Sequence, residues 1–421
     1  MYDMSLFFNP LVNFILTWWY LLLIIFLVIV LPDLWLFSRR EKYKKNLKWA
    51  LLRISVPKIP TTPYKAMEQI FAAMHSMYSF GILWKQKWFK GVVENWASFE
   101  IVGRNGELEF YVRVLESFRN TVESAVYSQY PDAEIVLVPP EDDYVNQFGT
   151  LTLKEDYDIW GSDFILARDD AYPLRTYEYF DHLMEEKRID PLALLSEAVS
   201  NLKPAENVWI QILIRATGDG WIKKGQKLAA ELMGEKSASK SGLGKALDSL
   251  IEFVKNFFIA FVRPPEWGEG DKAGEAKNKN LSPGNRKIVE AVENKISKIG
   301  FETVIRFVDV NKKDDFVRDN INAVMGFLRQ FNTNNLNSLR PNLATMPIAK
   351  KPFKKMKVDH KKKMLFLNYR LREFPSKFSI LNVEELATIY HLPLASVKAP
   401  TVERVLTKKG RPPANLPTIG S

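Results

Sequence analysis

The chain has no cysteine among its 421 residues, which excludes disulfides and thiolate chemistry. Histidine is nearly as scarce. The four present, at 75, 182, 360 and 391, lie too far apart for HExxH or any other local metal pattern. His75, mid-helix in a Met-rich face, and His391, at a helix end, read as packing or capping groups. A complete phosphate-binding loop is also missing. In Gly220-Trp-Ile-Lys-Lys-Gly225-Gln226-Lys227, Gln226 stands where a P-loop has its lysine and Lys227 where it has its Mg²⁺-holding hydroxyl. Near Gly242-Leu243-Gly244-Lys245 the first glycine is replaced by Ser239 and the Ser/Thr by Ala246. Loop glycines and solvated lysines are the plain reading. Glu141, Asp142 and Asp143 are adjacent in a loop without a histidine partner, and read as a solvated turn. No catalytic, cofactor-binding or metal-ligating residue is assigned, no cofactor is expected, and the chain is not expected to be an enzyme.

Charge is absent from one long stretch. Leu11 to Leu31 (LVNFILTWWYLLLIIFLVIVL) is twenty-one residues without a single charge, enough to span roughly 30 Å as a helix. A wholly buried core helix is the alternative. The ten residues before it hold no Lys or Arg, whereas Arg39, Arg40, Lys42, Lys44 and Lys45 follow closely. A signal peptide has the opposite charge order and a cleavage site, so a retained transmembrane anchor is expected. Positive charge on the C-terminal side places the N-terminus outside and residues 38–421 in the cytoplasm, at the inner membrane. Those five basic residues are the candidate membrane-interface group, at about 1 kcal/mol per charge near anionic lipid.

What remains is rich in core-forming material, 47% apolar and 13% aromatic, with net charge +10 distributed unevenly. The periodicities predict an α+β fold. A transmembrane segment (1–37) and a basic juxtamembrane stretch (38–48) lead into a first module, 49–138. There strand 49–56, helix 63–78, strands 96–102 and 108–114 joined by Arg104-Asn105-Gly106, helix 117–130 and strand 133–138 give βαββαβ, a ferredoxin-like order. An acidic, aromatic connection (139–189) holds short strands at 151–153 and 164–167 and a partly helical 175–184. A second ferredoxin-like module (190–370) carries an insertion at about 218–281, with helices at 221–233 and 243–262 and a polar tract at 268–280. Helix 284–299, strand 301–310, helix 314–331 and a strand at 364–369 complete it. A C-terminal helical segment (371–398) opens on an Asn382-to-Glu385 capping box, and a Pro/Lys-rich tail (399–421) follows.

The strongest candidate for polyanion contact is the run Lys350, Lys351, Lys354, Lys355, Lys357, Lys361, Lys362 and Lys363, broken by one aromatic, Phe353. It lacks the stacked rings of a single-strand binder, so a solvated loop, a membrane contact and a nucleic-acid contact all stay open. The helix through Leu247, Leu250, Ile251, Val254, Phe257, Phe258 and Phe261 is core or a docking face.

Several stretches together carry a resemblance. PYKAMEQIFAAMHSMY (63–78), SFEIVGRNGELEFYVRV (98–114), ESAVYSQYPDAEIV (123–136), NVWIQILIR (207–215), QFNTNNLNSL (330–339), FSILNVEELATIYHLP (378–393) and PPANLP (412–417) follow one another in order. They resemble the membrane-anchored N-terminal region of type IV secretion or conjugation ATPases of the coupling-protein class, as found in small-genome bacteria. In that family a motor domain with Walker motifs follows the Pro-rich segment; this sequence stops at Ser421 without one. The resemblance thus implies location and company, and it carries no catalytic residue over. The expected function is a non-enzymatic anchor and docking platform for a motor ATPase, as a homo-oligomer at the lipid bilayer. The alternative is a membrane-tethered nucleic-acid-binding module using the Lys350–Lys363 run.

Overall fold

Alternation along VWIQILIR sets the plan of the molecule. Val208, Ile210, Ile212 and Ile214 enter one apolar core, while Trp209 enters a second on the opposite side. A strand buried on both faces needs cover on both. The computed structural model describes residues 5–57, 64–79, 81–148, 157–181, 190–204, 206–234, 282–313, 318–393 and 404–405. At 5–19, 21, 22, 25, 56, 57, 180, 181, 404 and 405 it describes the backbone alone.

The first half comprises α1 (Ser5–Lys45), β1 (Trp49–Pro57), α2 (Tyr64–Met74), β2 (Ala97–Arg104), β3 (Glu107–Leu115), α3 (Arg119–Gln129) and β4 (Glu134–Val138). Then come β5 (Tyr157–Leu166), α4 (Tyr177–Asp181), α5 (Leu192–Ser200), β6 (Asn207–Ala216), α6 (Gly220–Met233) and α7 (Pro283–Ile296). The chain continues through β7 (Gly300–Lys312), α8 (Arg318–Arg329) and β8 (Leu339–Pro341). It closes with α9 (Lys354–Arg370), β9 (Ser379–Asn382), α10 (Val383–Ile389) and β10 (Arg404–Val405). The protein is a mixed α+β fold with an antiparallel sheet and helices.

Strands run β4-β1-β3-β2 in the first half and β6-β7-β5-β8 in the second, the same order in mirror sequence across the sheet. The two edges, β2 and β6, pair antiparallel from Ala97↔Ile214 to Arg104↔Asn207. That pairing fuses both halves into one ten-stranded sheet and leaves neither edge open at the joint. The expected separate modules therefore share a single sheet. β9 continues the ladder on β7 at Gly300–Thr303, where β5 no longer reaches, and β10 pairs parallel with the end of β1. One face is covered by α2, α3, α5, α8 and α10, through residues such as Phe71, Val122, Leu195, Phe327 and Leu386. On the other, Tyr144 and Val145 join Leu365, Phe366 and Tyr369 of α9.

Four expectations need correction. The strand expected at 364–369 is the C-terminal part of α9, because Leu365, Phe366 and Tyr369 face the sheet at helical spacing. Its place as fourth strand is taken by β8. The region expected as a connection, 139–189, contains β5, which lies between β7 and β8. Asp158, Gly161 and Asp163 blur its alternation, yet Gly161 sits so close to Phe307 that a Cβ would lie 2.1 Å from that carbonyl oxygen. The helical segment expected at 371–398 begins with β9 before α10, and the tail contributes β10. Finally, Gly220–Lys227 is no loop: it lies in α6, where Gly225 packs against Ile296 and Lys227 pairs with Glu231 at 3.7 Å. The expectations at 151–153, 243–262, 268–280 and Gly242–Lys245 lie outside the described residues, as does His182.

The apolar run Leu11–Leu31 lies within α1, a helix of 41 residues. Among the described residues no helix is long and apolar enough to cross a membrane.

Candidate functional site

Beneath α9 the sheet carries a buried polar network beside the apolar cluster around Trp209. Arg372, in the left-handed conformation (φ 50°) just past α9, donates from Nε and Nη2 to Glu100 at 2.8 and 3.0 Å, and to both oxygens of Asp143 at 2.6 and 3.0 Å. Burial by itself would raise the Glu100 carboxyl, but the Arg372 guanidinium, with hydrogen bonds from Ser98 and Tyr144, holds it below its ordinary value. Tyr144 donates to Glu100 at 2.7 Å, which leaves Tyr369 to donate to Tyr144 at 2.8 Å. Gln211 links Glu100 to Arg306, which pairs with Asp163 at 2.7 Å. Burial, then the Glu100 charge, push both phenols upward. The network pins the C-terminal end of α9 to the sheet, with Arg306 Nη1 donating to the Asn368 carbonyl at 2.9 Å.

The other end of α9 is open. Phe353, with φ 58°, precedes it, and its first turn contains no acidic residue. Lys354, Lys355 and Lys357 thus stand at the positive end of the helix dipole, which concentrates positive potential there. Between this end and the loop after β8 lies a groove of about 800 Å³ lined by Leu343, Ile348, Met356, Lys357, His360 and Lys361. Its apolar members are strongly exposed, Leu343 at 66% and Met356 at 65%.

Of the eight lysines singled out from the sequence, Lys361 donates to the carbonyls of Leu343, Met346 and Ile348 at 2.9–3.1 Å and shapes the groove wall. Lys362 pairs with Asp158 on β5. Lys350 and Lys357 line the groove and are exposed, and Lys351, Lys354, Lys355 and Lys363 are exposed outside its lining. The apolar floor was not legible in the sequence, because Leu343 and Ile348 approach Met356 only through the fold. Asp143, read as part of a solvated turn, instead anchors Arg372; Glu141 and Asp142 are exposed. His391 hydrogen-bonds to Asp190 at 2.9 Å in the core, and His75 to the Thr217 carbonyl at 3.2 Å.

The basic group that follows the apolar run is divided. Lys42 and Lys45 are exposed, the Arg39 guanidinium lies 4.3 Å from the centre of the Trp35 ring, and Arg40 is half-buried. Lys44 is committed to Glu41 and Glu373, an ion pair that ties α1 to the chain just after α9. A hollow of about 950 Å³ at this junction includes Arg215, paired with Glu302 and stacked 4.3 Å from the Phe374 ring. Its charges face one another, so it reads as a structural joint. Among the described residues no cluster of carboxylates and histidines could hold a metal ion.

No curated protein matches the sequence. One family model, described as a domain of unknown function (DUF8128), matches residues 49–405, from the first residue of β1 to the last of β10. That is far more than half of the chain, and the protein belongs to the DUF8128 family.

Proposed function

We propose that this protein is a non-enzymatic component of a type IV secretion- or conjugation-like translocation apparatus. It is anchored in the inner membrane by the apolar run of α1, N-terminus outside, and serves as a docking platform for a motor ATPase. Its two halves, with their matching strand orders, are read as ferredoxin-like units that fuse edge to edge into a broad scaffold. The observation that carries the reading is the groove at the N-terminal end of α9. It is apolar on its floor and lysine-rich on its rim, which suits an acidic, amphipathic segment of a protein. A nucleic acid would use the lysines but leave Leu343, Ile348 and Met356 uncovered. The same bilayer is out of reach, since α9 is about 25 Å long and its opposite end is the one tied to α1.

The test is co-purification of the full chain from membranes, with Met356→Asp and Lys357→Glu compared. A motor ATPase retained by the parent protein and lost from both variants is the expected result. Binding of DNA that falls with Lys357→Glu and ignores Met356→Asp would favour the nucleic-acid reading. The purified chain should show no magnesium-dependent ATP turnover; a steady rate abolished by Lys227→Ala would overturn the non-enzymatic reading.

A further inference from the structure

Between α2 and β2 the chain reads Leu83-Trp84-Lys85-Gln86-Lys87-Trp88-Phe89-Lys90, rings and lysines interleaved. The segment is a short helical turn ending in a π turn, Gln86–Lys90. Its apolar side chains point outward: Leu83 is 69% exposed, Trp84 65% and Phe89 61%. The Trp84 ring lies 6.3 Å from the half-buried Trp88 and 6.0 Å from Phe89, so the rings form one cluster with Trp84 and Phe89 exposed. Leaving such side chains in water forgoes about 1.5–3 kcal/mol each, and something is needed to cover them.

Position identifies the cover. The segment is clamped to α1: Trp35 Nε1 donates to the Trp88 carbonyl at 3.1 Å. Gly91, with φ +70°, lies so close that a Cβ would sit 2.3 Å from the Arg39 carbonyl carbon. Trp35 and Arg39 are four and eight residues beyond Leu31, about 6 and 12 Å along a helix. A headgroup layer is about 5–8 Å thick on each side of the hydrocarbon. The Trp35–Trp88 contact therefore lies within that layer when Leu31 ends the apolar core, and the Gly91–Arg39 contact just beyond it. Leu31, Leu34, Trp35 and Phe37 of α1 are exposed at the same level and continue the surface. Amphipathic rings beside lysines are the composition this layer favours.

We propose that Leu83–Lys90 is a second membrane contact. Leu83, Trp84 and Phe89 enter the boundary between headgroups and acyl chains, and Lys85, Lys87 and Lys90 meet anionic lipid. The contact rests on the reading of α1 as the anchor. A single spanning helix leaves the body free to rotate about it; a second footing clamped to α1 fixes which face of the sheet turns toward the bilayer.

Because the chain has no cysteine, single cysteines can be spin-labelled in the full protein in vesicles of phosphatidylcholine and phosphatidylglycerol. Labels at Ile24→Cys, Trp84→Cys and Leu343→Cys are compared for access to oxygen, which partitions into lipid, and to a water-soluble nickel chelate. The expected pattern is hydrocarbon depth at 24, headgroup depth at 84 and water at 343; Phe89→Cys, also expected at headgroup depth, provides an independent reading if Trp84→Cys disturbs the turn. A water-exposed label at 84 and at 89, with 24 in hydrocarbon, overturns the footing and leaves the anchor standing. Water exposure at 24 as well overturns both. A label at 84 and 89 shielded from both reagents means a protein contact and also overturns the footing.

Discussion

Lys295 and Glu385 are both wholly buried and form an ion pair at 3.0 Å. Burial raises the Glu385 carboxyl; the Lys295 ammonium and the backbone N–H groups of Leu174 and Asn382 offset part of that rise. A satisfied buried pair adds little net stability, whereas removing one partner strands a charge. Lys295→Met is expected to cost about 3–5 kcal/mol in urea unfolding. A loss below 1 kcal/mol would show that the site admits water. Asp309 is the opposite case, a buried carboxyl with no ion pair among the described residues. Burial is the main cause that pushes it up to about 8; a hydrogen bond from Asn311 works against the rise, and the charges of Glu206 and Asp158 add to it. In the folded state it binds a proton that the unfolded chain, at the ordinary value of 3.8, releases. Its contribution is thus fully present below about pH 4 and is lost as pH rises toward 8, at up to about 1.4 kcal/mol per pH unit. Asp309→Asn should flatten that part of the stability profile and unfold at higher denaturant than the parent at pH 9. An unchanged slope would count against it.

Among the elements, the β2–β3 hairpin was the most legible. Asn105 and Gly106, with φ 52° and 82°, form the tight turn that the dipeptide favours, and the register runs Arg104↔Glu107 to Ser98↔Arg113. Phe99, Ile101, Phe110 and Val112 are all buried on its inner face. Phe110→Ala is expected to lose about 3–5 kcal/mol without shifting the register, read by denaturation and by hydrogen exchange along β2. The capping box at Asn382 and Glu385 was likewise readable, since both of its hydrogen bonds are local. α9 and β5 were not. The short apolar run Met364–Leu367 fits either period over so few residues, and only the sheet below selects the helix. In β5, Asp163 looks solvent-facing until Arg306, 143 residues away, is folded against it.

For the molecule as a whole, orientation is the accessible test. A fluorescent reporter fused after Ser421 should light in the cytoplasm, and alkaline phosphatase fused there should stay inactive. Active phosphatase would reverse the topology. Neutralising Arg39, Arg40, Lys42, Lys44 and Lys45 should mix the two orientations, because their charge sets the bias. Lys44 adds a second effect, as its loss also frees α1 from Glu373.

Local order determined much of this protein: the apolar run, the hairpin, the helix caps and the alternation of β6 are all written in neighbouring residues. Hydrophobic period and turn chemistry act over a few positions, so they survive being read without a fold. Three features came only with the tertiary structure. The β2–β6 joint pairs strands more than a hundred residues apart in the chain. The Glu100–Arg372 network collects charges that look solvated one by one. The exposed apolar surface, at the groove and at Leu83–Lys90, depends on which side chains the packed core leaves outside. Burial is a property of three-dimensional neighbours, and neither a lysine run nor a pair of tryptophans reveals its own.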